Sequence, residues 1–329
     1  MPSEAMNRTF GWATPLLSQL DEIAPGVLRN LLCAGAERRQ VTFMALAMMQ
    51  AHADAMQMAP LAGALVSGST KDVLCLGFDP IPMGLLAVLR RMGAEPLSSP
   101  QQYVELAALF GQGAHPAVSA LQGVDQISEP LINAVHMLEP QWASAPLLRR
   151  LNGPQAARDA NAALHFVQRV CSRATTNVLL EAVAQLPADK PLSVVLERFM
   201  RRADRFPPHP LSADEDIRPL SSARNFIETG VRYRNCLATK LAEVLAGMAA
   251  YAEFRGVCIL ELRPLSSGQW LLSDLHAPRN DFLNHVIKQA AEEQCEAKGI
   301  VTMARPEPDR GWRAYRRLAR QSELFFEAA

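Results

Sequence analysis

The sequence predicts an α+β fold, in which a mainly α-helical N-terminal domain precedes a small helix–helix–β-hairpin–helix domain. Apolar residues before residue 205 recur at helical spacing. A proline-rich stretch then interrupts this pattern, and two strand-like runs joined by a turn follow it. We therefore divide the chain into a helical domain at 1–204, a linker at 205–220 and an α+β domain at 221–329.

The composition excludes several classes of protein. Hydrophobic residues make up 49% of the chain, which is typical of a globular protein. Basic and acidic residues both number 33, so no overall charge attracts nucleic acid or an anionic membrane. The N-terminus lacks a basic, apolar leader, and no apolar run approaches the roughly 20 residues of a membrane helix. We expect a cytoplasmic protein without a membrane partner.

The cysteines and histidines predict no metal site. The six cysteines are scattered, without a Cys-x-x-Cys motif, at positions 33, 75, 171, 236, 258 and 295. This pattern favours reduced thiols over disulfides or a zinc site. The histidines form no His-Glu-x-x-His motif. The sequence therefore indicates no metal, and any cofactor is unknown.

The N-terminal domain is predicted from apolar spacing and from helix boundaries. A helix over 82–92 ends at Gly93, a residue favoured after a helix C-terminus. Ser99 and Pro100 begin another helix, because the hydroxyl caps it and proline suits its first position. The segments 155–171 and 191–202 repeat apolar residues every three or four positions. Such helices predict an array or an irregular bundle.

The linker is predicted from its four prolines and its acidic triplet, because proline fits neither a helix interior nor a central strand. Further elements are predicted beyond it. They are a helix capped by Ser221 or Ser222, a helix at 240–254, strands at 257–262 and 269–275, a helix at 280–298, a short strand at 299–304 and a helix at 309–326. The composition of the turn between the two longer strands is typical of a β-hairpin.

Short motifs in the α+β domain resemble those of a known family. In chain order they are Glu228-x-Gly230, Asn235-Cys236, a helix ending in glycine, a hairpin and Arg279-Asn280. Over about residues 221–300 this order resembles the PcfJ-like family of proteins from conjugative plasmids and other mobile elements. The resemblance implies a helical region before the domain and an accessory role on a mobile element.

The chain departs from that family at two places. After Cys236 it has Leu-Ala-Thr-Lys, where the family has Val-Gly-x-Tyr. Asp274 and Ala277 stand where the family has Gln and Gly. The resemblance thus bears on the domain more than on an activity.

Four side chains are candidate catalytic residues: Glu228, Cys236, Asp274 and His276. Asp274 and His276 alternate along the second strand and therefore point the same way. Glu228 and Asn235 are two helical turns apart, so they would share a face with Arg232 between them. If the sheet packs on the helices, a carboxylate, a thiol and an imidazole converge, and a Cys–His pair suits nucleophilic chemistry.

These residues also have structural interpretations. Cys236 suits a small buried position, and His276 suits a hydrogen bond to a backbone carbonyl. Asn280 is a favourable helix N-cap. Glu228 and Arg232 have the spacing of an exposed ion pair on a helix.

Candidate anion-binding or nucleic-acid-binding residues lie at two places. Beside the candidate site, Arg234, Arg279 and Asn280 would suit a phosphate or another anion. Near the C-terminus, Trp312 and Tyr315 alternate with arginines that would grip phosphates while the rings stack on bases. These arginines are Arg313, Arg316, Arg317 and Arg320. The alternative for this segment is a solvated amphipathic helix.

Three functional hypotheses are compatible with these residues, and the family resemblance favours the first over the other two. The first is a nucleic-acid-associated accessory protein of a plasmid or other mobile element, with DNA or RNA as its partner. The second is an uncharacterised enzyme with a Cys/His/Asp/Arg site. The third is a protein-interaction module in plasmid or phage conflict, with partners encoded by a mobile element. A basic face that includes 310–320 would favour the first, a pocket joining Cys236 to His276 the second, and a broad apolar groove on the helical domain the third.

Overall fold

A computed structural model of the protein describes residues 9–52, 58–113 and 115–303. The chain divides into two units, Met1–Met200 and Arg201–Ala329. The first unit is built from helices, and the second combines helices with a four-stranded antiparallel sheet. The predicted α+β class is therefore confirmed. Within the described residues, every helix is too short or too polar to cross a membrane.

The first unit consists of helices joined by short turns. Its α-helices are Thr14–Ile23, Val27–Cys33, Ala36–His52, Met58–Ser67, Thr70–Cys75, Leu85–Leu89, Pro100–Gly111, Pro116–Gln122, Glu129–Met137, Ala145–Leu148, Pro154–Val170, Thr176–Ala184 and Ser193–Met200. Single 3₁₀ turns lie at Gly11–Ala13 and Pro140–Trp142. Their apolar faces meet in one core, as expected for a helical array.

Capping determines where several of these helices begin. The helix Pro100–Gly111 begins at the predicted place, and the backbone amide of Ser99 donates to the Gln102 side chain at 3.2 Å. This bond is half of a capping box, in which side chains satisfy amides that have no partner within the helix. The helix predicted over 155–171 is also present, as Pro154–Val170.

Four strands of the second unit form a sheet in the order β1-β2-β3-β4. The strands are β1 (Ile217–Pro219), β2 (Ala250–Phe254), β3 (Cys258–Pro264) and β4 (Trp270–His276). The predicted hairpin corresponds to β3 and β4. Helices Ala223–Tyr233, Leu241–Leu245 and His285–Ala297 accompany the sheet, with 3₁₀ turns at Cys236–Lys240 and Pro278–Asn280.

One face of the sheet is apolar. Ala250, Ala252 and Phe254 of β2 lie in a core with Ala291 and Cys295 of the helix His285–Ala297. Side chains alternate along a strand, so these three residues project on the same side of β2. This face holds the sheet to the last described helix.

The opposite face of the sheet carries polar groups among its rings. Tyr251 meets Phe226 of the helix Ala223–Tyr233 edge-on, with 5.8 Å between the ring centroids. The Tyr233 hydroxyl donates to the buried carboxylate of Glu253 at 2.9 Å, and Arg232 donates to the same carboxylate at 2.9 Å. Residues 251 and 253 are therefore positioned by packing and by hydrogen bonds to one helix.

The prediction of a single helix over 240–254 is wrong beyond its first part. A helix is present only at Leu241–Leu245, and Ala250–Phe254 is strand β2. Gly247 between them has a φ of +73°, a conformation that glycine adopts freely and that ends a helix. Every residue of β2 is buried. Apolar spacing does not separate a strand buried on both faces from a helix.

The interval predicted as a linker, 205–220, lies within the second unit, and its end forms the edge strand β1. Proline is tolerated at 219 because one side of an edge strand has no ladder partner. The Nε2 of His209 lies 3.0 Å from the Tyr251 carbonyl oxygen, and its Nδ1 lies 3.0 Å from both the carbonyl oxygen and the amide nitrogen of Leu211. Burial lowers the pKa of His209, against the hydrogen bonds to these carbonyls.

The helix predicted over 280–298 begins later than expected. Its described form is His285–Ala297, and the side chain of Asn284 caps it. Asn280, which was expected as a helix N-cap in one interpretation, lies instead in a 3₁₀ turn. Arg279 and Asn280 both have positive φ angles there, +57° and +54°, so the chain reverses before the helix starts.

Two predicted elements follow this helix. The strand at 299–304 amounts to an isolated parallel bridge between Leu271 and Val301. The helix at 309–326 lies outside the described residues.

Candidate functional site

The second unit contains a cavity of about 220 Å³. One wall comes from the segment after the helix Ala223–Tyr233, and the other comes mainly from the sheet. The lining residues are Asn235, Cys236, Leu237, Lys240, Tyr251, Glu261, His276 and Asn280. A thiol, an ammonium, a phenol, a carboxylate, an imidazole and two amides thus surround one small space.

The first wall depends on how the helix Ala223–Tyr233 ends. Arg234 adopts a φ of +49°, which turns the chain out of the helix. The Asn235 side chain then accepts a hydrogen bond of 3.1 Å from the amide two residues later and begins the 3₁₀ turn Cys236–Lys240. Gly230 lets this turn approach the helix, because a Cβ there would lie 3.3 Å from the backbone nitrogen of Ala238.

The second wall follows from the register of the strands. Tyr251 of β2 is opposite Glu261 of β3, and Glu261 is opposite Asp274 of β4. Opposed residues share a face of the sheet, as do residues two apart on one strand. His276 therefore lies on the face of Tyr251 and Glu261, and all three line the cavity.

Glu261 is the acceptor at the centre of this wall. Its carboxylate, whose side chain is 13% exposed, accepts from His276 Nε2 at 2.8 Å and from Arg263 Nε at 2.8 Å. The hydrogen bond from His276, with that from Arg263, lowers the pKa of Glu261 to about 2. The same bond from Glu261 raises the pKa of His276 above its ordinary value. The pair therefore favours a protonated imidazole.

Ion pairs extend from Glu261 to the other wall. Arg263 also contacts Glu243 at 2.9 Å, and Glu243 accepts from Lys240 Nζ at 3.0 Å. Charges of alternating sign thus lead from the sheet to the 3₁₀ turn. Lys240, which lines the cavity, is connected to this chain through its ion pair with Glu243.

Tyr251 places a buried hydroxyl group in this site that lacks a close hydrogen-bond partner in the described part of the chain. The residue is 1% exposed, and its hydroxyl makes no hydrogen bond within the described residues. Burial, followed by the charge of Glu261, raises the pKa of Tyr251. The hydroxyl therefore remains protonated at neutral pH. It is a buried donor without an acceptor, which is uncommon because such groups cost free energy.

Three of the sequence-predicted residues line the cavity: Cys236, His276 and Asn280. The thiol of Cys236 is exposed, and within the described residues it makes no hydrogen bond to His276. Cys236 and His276 therefore line the same cavity without a hydrogen bond between them.

Glu228 lies away from the cavity, and the predicted shared face with Asn235 does not form. The exposed Glu228 carboxylate pairs with Arg224 at 2.6 Å, while Arg232 turns to Glu253. The helix ends at Tyr233, so helical spacing no longer applies between Glu228 and Asn235.

The remaining predicted residues are peripheral or outside the described chain. Asp274 is exposed, and its charge contributes to raising the pKa of His276, after Glu261 and against burial. Arg234 and Arg279 are exposed, and neither side chain has an ion pair within the described residues. The four C-terminal arginines lie outside the described residues; they are Arg313, Arg316, Arg317 and Arg320.

Three site residues were missed by sequence reasoning: Lys240, Tyr251 and Glu261. Glu261 had a visible signal, because it is a single carboxylate inside the otherwise apolar run at 257–262, where an isolated charge requires a partner. Tyr251 was assigned to a helix face, which hid its position opposite Glu261. Lys240 had no distinguishing signal.

Comparisons with known proteins add no identification. No protein-family model, curated protein or solved structure matches the chain. Among the described residues, no group of three His, Cys, Asp or Glu side chains is arranged to hold a metal ion.

Replacing each of two buried tyrosines by phenylalanine should affect stability differently, because one hydroxyl is hydrogen-bonded and the other lacks a close partner among the described residues. Tyr233→Phe leaves the buried Glu253 without one donor, so we expect the free energy of unfolding to fall by about 1–3 kcal/mol. Tyr251→Phe removes a hydroxyl without a partner, so stability should be unchanged or higher. Urea denaturation followed by circular dichroism measures both. Equal losses in the two variants would show that the Tyr251 hydroxyl is satisfied.

His276 should titrate above the ordinary histidine pKa of about 6.5. Its raised folded pKa means that the ion pair with Glu261 stabilises the fold fully between the ordinary pKa values of glutamate and histidine, about 4.3 and 6.5, and that this contribution is lost as pH rises through the folded pKa of His276. Glu261→Gln should lower the pKa of His276, because the charged acceptor is removed while burial remains. The ring proton shifts in an NMR titration measure this change.

His209 is the internal control for this titration. Burial lowers its pKa, so it should titrate below the ordinary value, and Glu261→Gln should leave it unchanged. A His276 pKa that is insensitive to Glu261→Gln would contradict the pairing described here.

Proposed function

We propose that the second unit is an enzyme domain that performs acid–base chemistry on a small molecule in the cavity. One observation carries this proposal: Cys236 and His276 line the same cavity, and Glu261 holds His276 by its Nε2. A histidine oriented by a carboxylate is a frequent general acid or base. A pocket that joins Cys236 to His276 is the feature expected of the enzyme hypothesis.

His276 is assigned the proton transfer. Its Nε2 donates to Glu261, and its Nδ1 makes no hydrogen bond within the described residues. Nδ1 is therefore the nitrogen available to exchange a proton with a ligand. Glu261 is a positioning residue, since it fixes the ring and stabilises the imidazolium without needing to contact the ligand.

Cys236 is assigned a place beside the reacting group. Its thiol has access to the cavity, and a ligand of suitable size would lie between it and His276. Thiols in such positions act as nucleophiles when a base accepts their proton, and His276 accepts it only in its neutral form. Cys236→Ser distinguishes this role, because serine retains much of the volume and removes the easily formed thiolate.

The test is loss of turnover in variants that retain the fold. A mixture of small metabolites extracted from bacterial cells is incubated with the parent protein or with His276→Gln, and mass spectrometry follows each compound. We expect the parent to consume at least one compound that His276→Gln leaves intact. Glu261→Gln should reduce the rate and shift its pH dependence to lower pH, because the pKa of His276 falls.

The first unit provides a matched control. His165 Nε2 contacts Glu139 at 2.6 Å, so this pair repeats the His–Glu contact but does not line the cavity. His165→Gln should consume the same compounds as the parent. Identical metabolite profiles for the parent and His276→Gln would contradict the proposed enzyme.

Nucleic-acid association is a second candidate. It is supported by the resemblance to the PcfJ-like family of mobile-element proteins and by Arg234 and Arg279, which are exposed and have no ion pair within the described residues. Both arginines adjoin a residue that lines the cavity. Unpaired guanidinium groups are suited to phosphate. This candidate assigns the chain an accessory role that requires contact with DNA or RNA.

The double variant Arg234→Gln/Arg279→Gln tests this candidate. If both side chains contact phosphates, affinity for a single-stranded oligonucleotide should fall, and the slope of log affinity against log salt should decrease by about 0.7 for each lost contact. Arg224→Gln is the control, because Arg224 is already paired with Glu228. Fluorescence anisotropy at several salt concentrations measures both quantities. Absence of binding by the parent at low salt would exclude the candidate.

A further inference from the structure

The hydroxyl of Tyr251 indicates the chemistry of the missing partner. It is buried and makes no hydrogen bond of ordinary geometry within the described residues. The neighbouring Glu261 carboxylate, which is near enough to raise the pKa of Tyr251, is already engaged by His276 and Arg263. A buried hydroxyl is normally satisfied. Because Tyr251 lines the cavity, a ligand that presents an acceptor there would supply the partner.

The other polar groups of the cavity are also mainly donors. The Lys240 ammonium has three N–H groups, and the described residues engage it through Glu243 alone. His276 donates from Nδ1 when it is protonated, and the amide of Asn280 supplies further N–H groups. Two nearby carboxylates, Glu261 and Glu243, are already bound by cations, and the exposed Asp274 is not among the lining residues. The donor set is thus complementary to an acceptor-rich group.

We infer that the cavity binds a small molecule through an oxyanion, a carboxylate or a phosphate, held by Tyr251, Lys240 and His276. This inference rests on the proposed function and names the substrate class of the same site. Arg234 and Arg279, which are sequence neighbours of lining residues, add positive potential that attracts an anion from solution.

The volume of the cavity limits the size of this molecule. At about 220 Å³, the cavity is somewhat larger than the roughly 150 Å³ cavity that accommodates benzene. A compound with a few carbon atoms and one oxyanion fits this space.

Cys236 provides a reporter of occupancy in the unmodified protein. Three cysteines are exposed: Cys33, Cys75 and Cys236. Of these, only Cys236 is among the lining residues of this cavity. Iodoacetamide labelling of each cysteine is followed by peptide mass spectrometry in inorganic phosphate, in acetate, and in sodium chloride of equal ionic strength. We expect an oxyanion to slow labelling of Cys236 several-fold and to leave Cys33 and Cys75 unchanged.

Two variants test whether the hydroxyl of Tyr251 and the ammonium of Lys240 are responsible for the protection of Cys236 from labelling. Tyr251→Phe and Lys240→Met should each weaken the protection of Cys236, whereas Tyr233→Phe, which alters a hydroxyl outside the cavity, should retain it. Circular dichroism melting confirms that each variant is folded. Protection by phosphate but not acetate, or the reverse, identifies the source of the oxyanion.

Several results would overturn the inference. They are no protection by either oxyanion, equal protection of all three cysteines, and protection that persists in both Tyr251→Phe and Lys240→Met. The proposed function fails separately. Protection at Cys236 together with identical metabolite profiles for the parent and His276→Gln would leave an oxyanion-binding site without catalysis.

Discussion

The carboxylate of Glu261 is the constraint on which the site depends. It projects from the middle of the sheet, where a charge is costly unless donors surround it. His276 and Arg263 provide these donors, and each extends the order outward. His276 is held in one orientation on β4, while Arg263 reaches Glu243 and, through it, Lys240. A single half-buried charge thus connects side chains on both walls of the cavity.

Glu253, the buried carboxylate of β2, has a different role. Glu253 is satisfied by Tyr233 and Arg232, both from the helix Ala223–Tyr233, and it has no place among the lining residues. It joins the helix to the sheet. Tyr251 lies between the two carboxylates along the same face of the sheet but has neither as a hydrogen-bond partner. The polar face therefore contains one closed cluster, around Glu253, and one that leaves a donor available, around Glu261. Only the latter has the properties of a binding site.

Sequence reasoning identified the elements whose signals are local. The Ser99 cap, the helix at 155–171 and the β-hairpin follow from residues close together in the chain. Strand β2 could not be predicted in this way. Its neighbours on both faces of the sheet are distant in sequence, and its apolar run fits both a helix and a buried strand. Prediction of the site was limited for the same reason, because some of its residues come together only through the alignment of the strands. Cys236 and His276 are reactive residue types and could be proposed directly, whereas Tyr251 and Glu261 acquire their roles only when β2 is placed against β3.

The side chains of β2 point alternately to the apolar core and to the polar face that contains the cavity, so packing and cavity chemistry depend on different residues of the strand. Residues at even positions, such as Ala252, maintain the apolar layer against the last described helix, and those at odd positions, such as Tyr251, face the polar side. An exchange of Tyr251 would change the group that β2 presents to the cavity without opening a void in that apolar layer, since side chains on opposite faces do not compete for space. The lining of the cavity and the apolar layer beneath it can therefore be varied by separate substitutions on one strand.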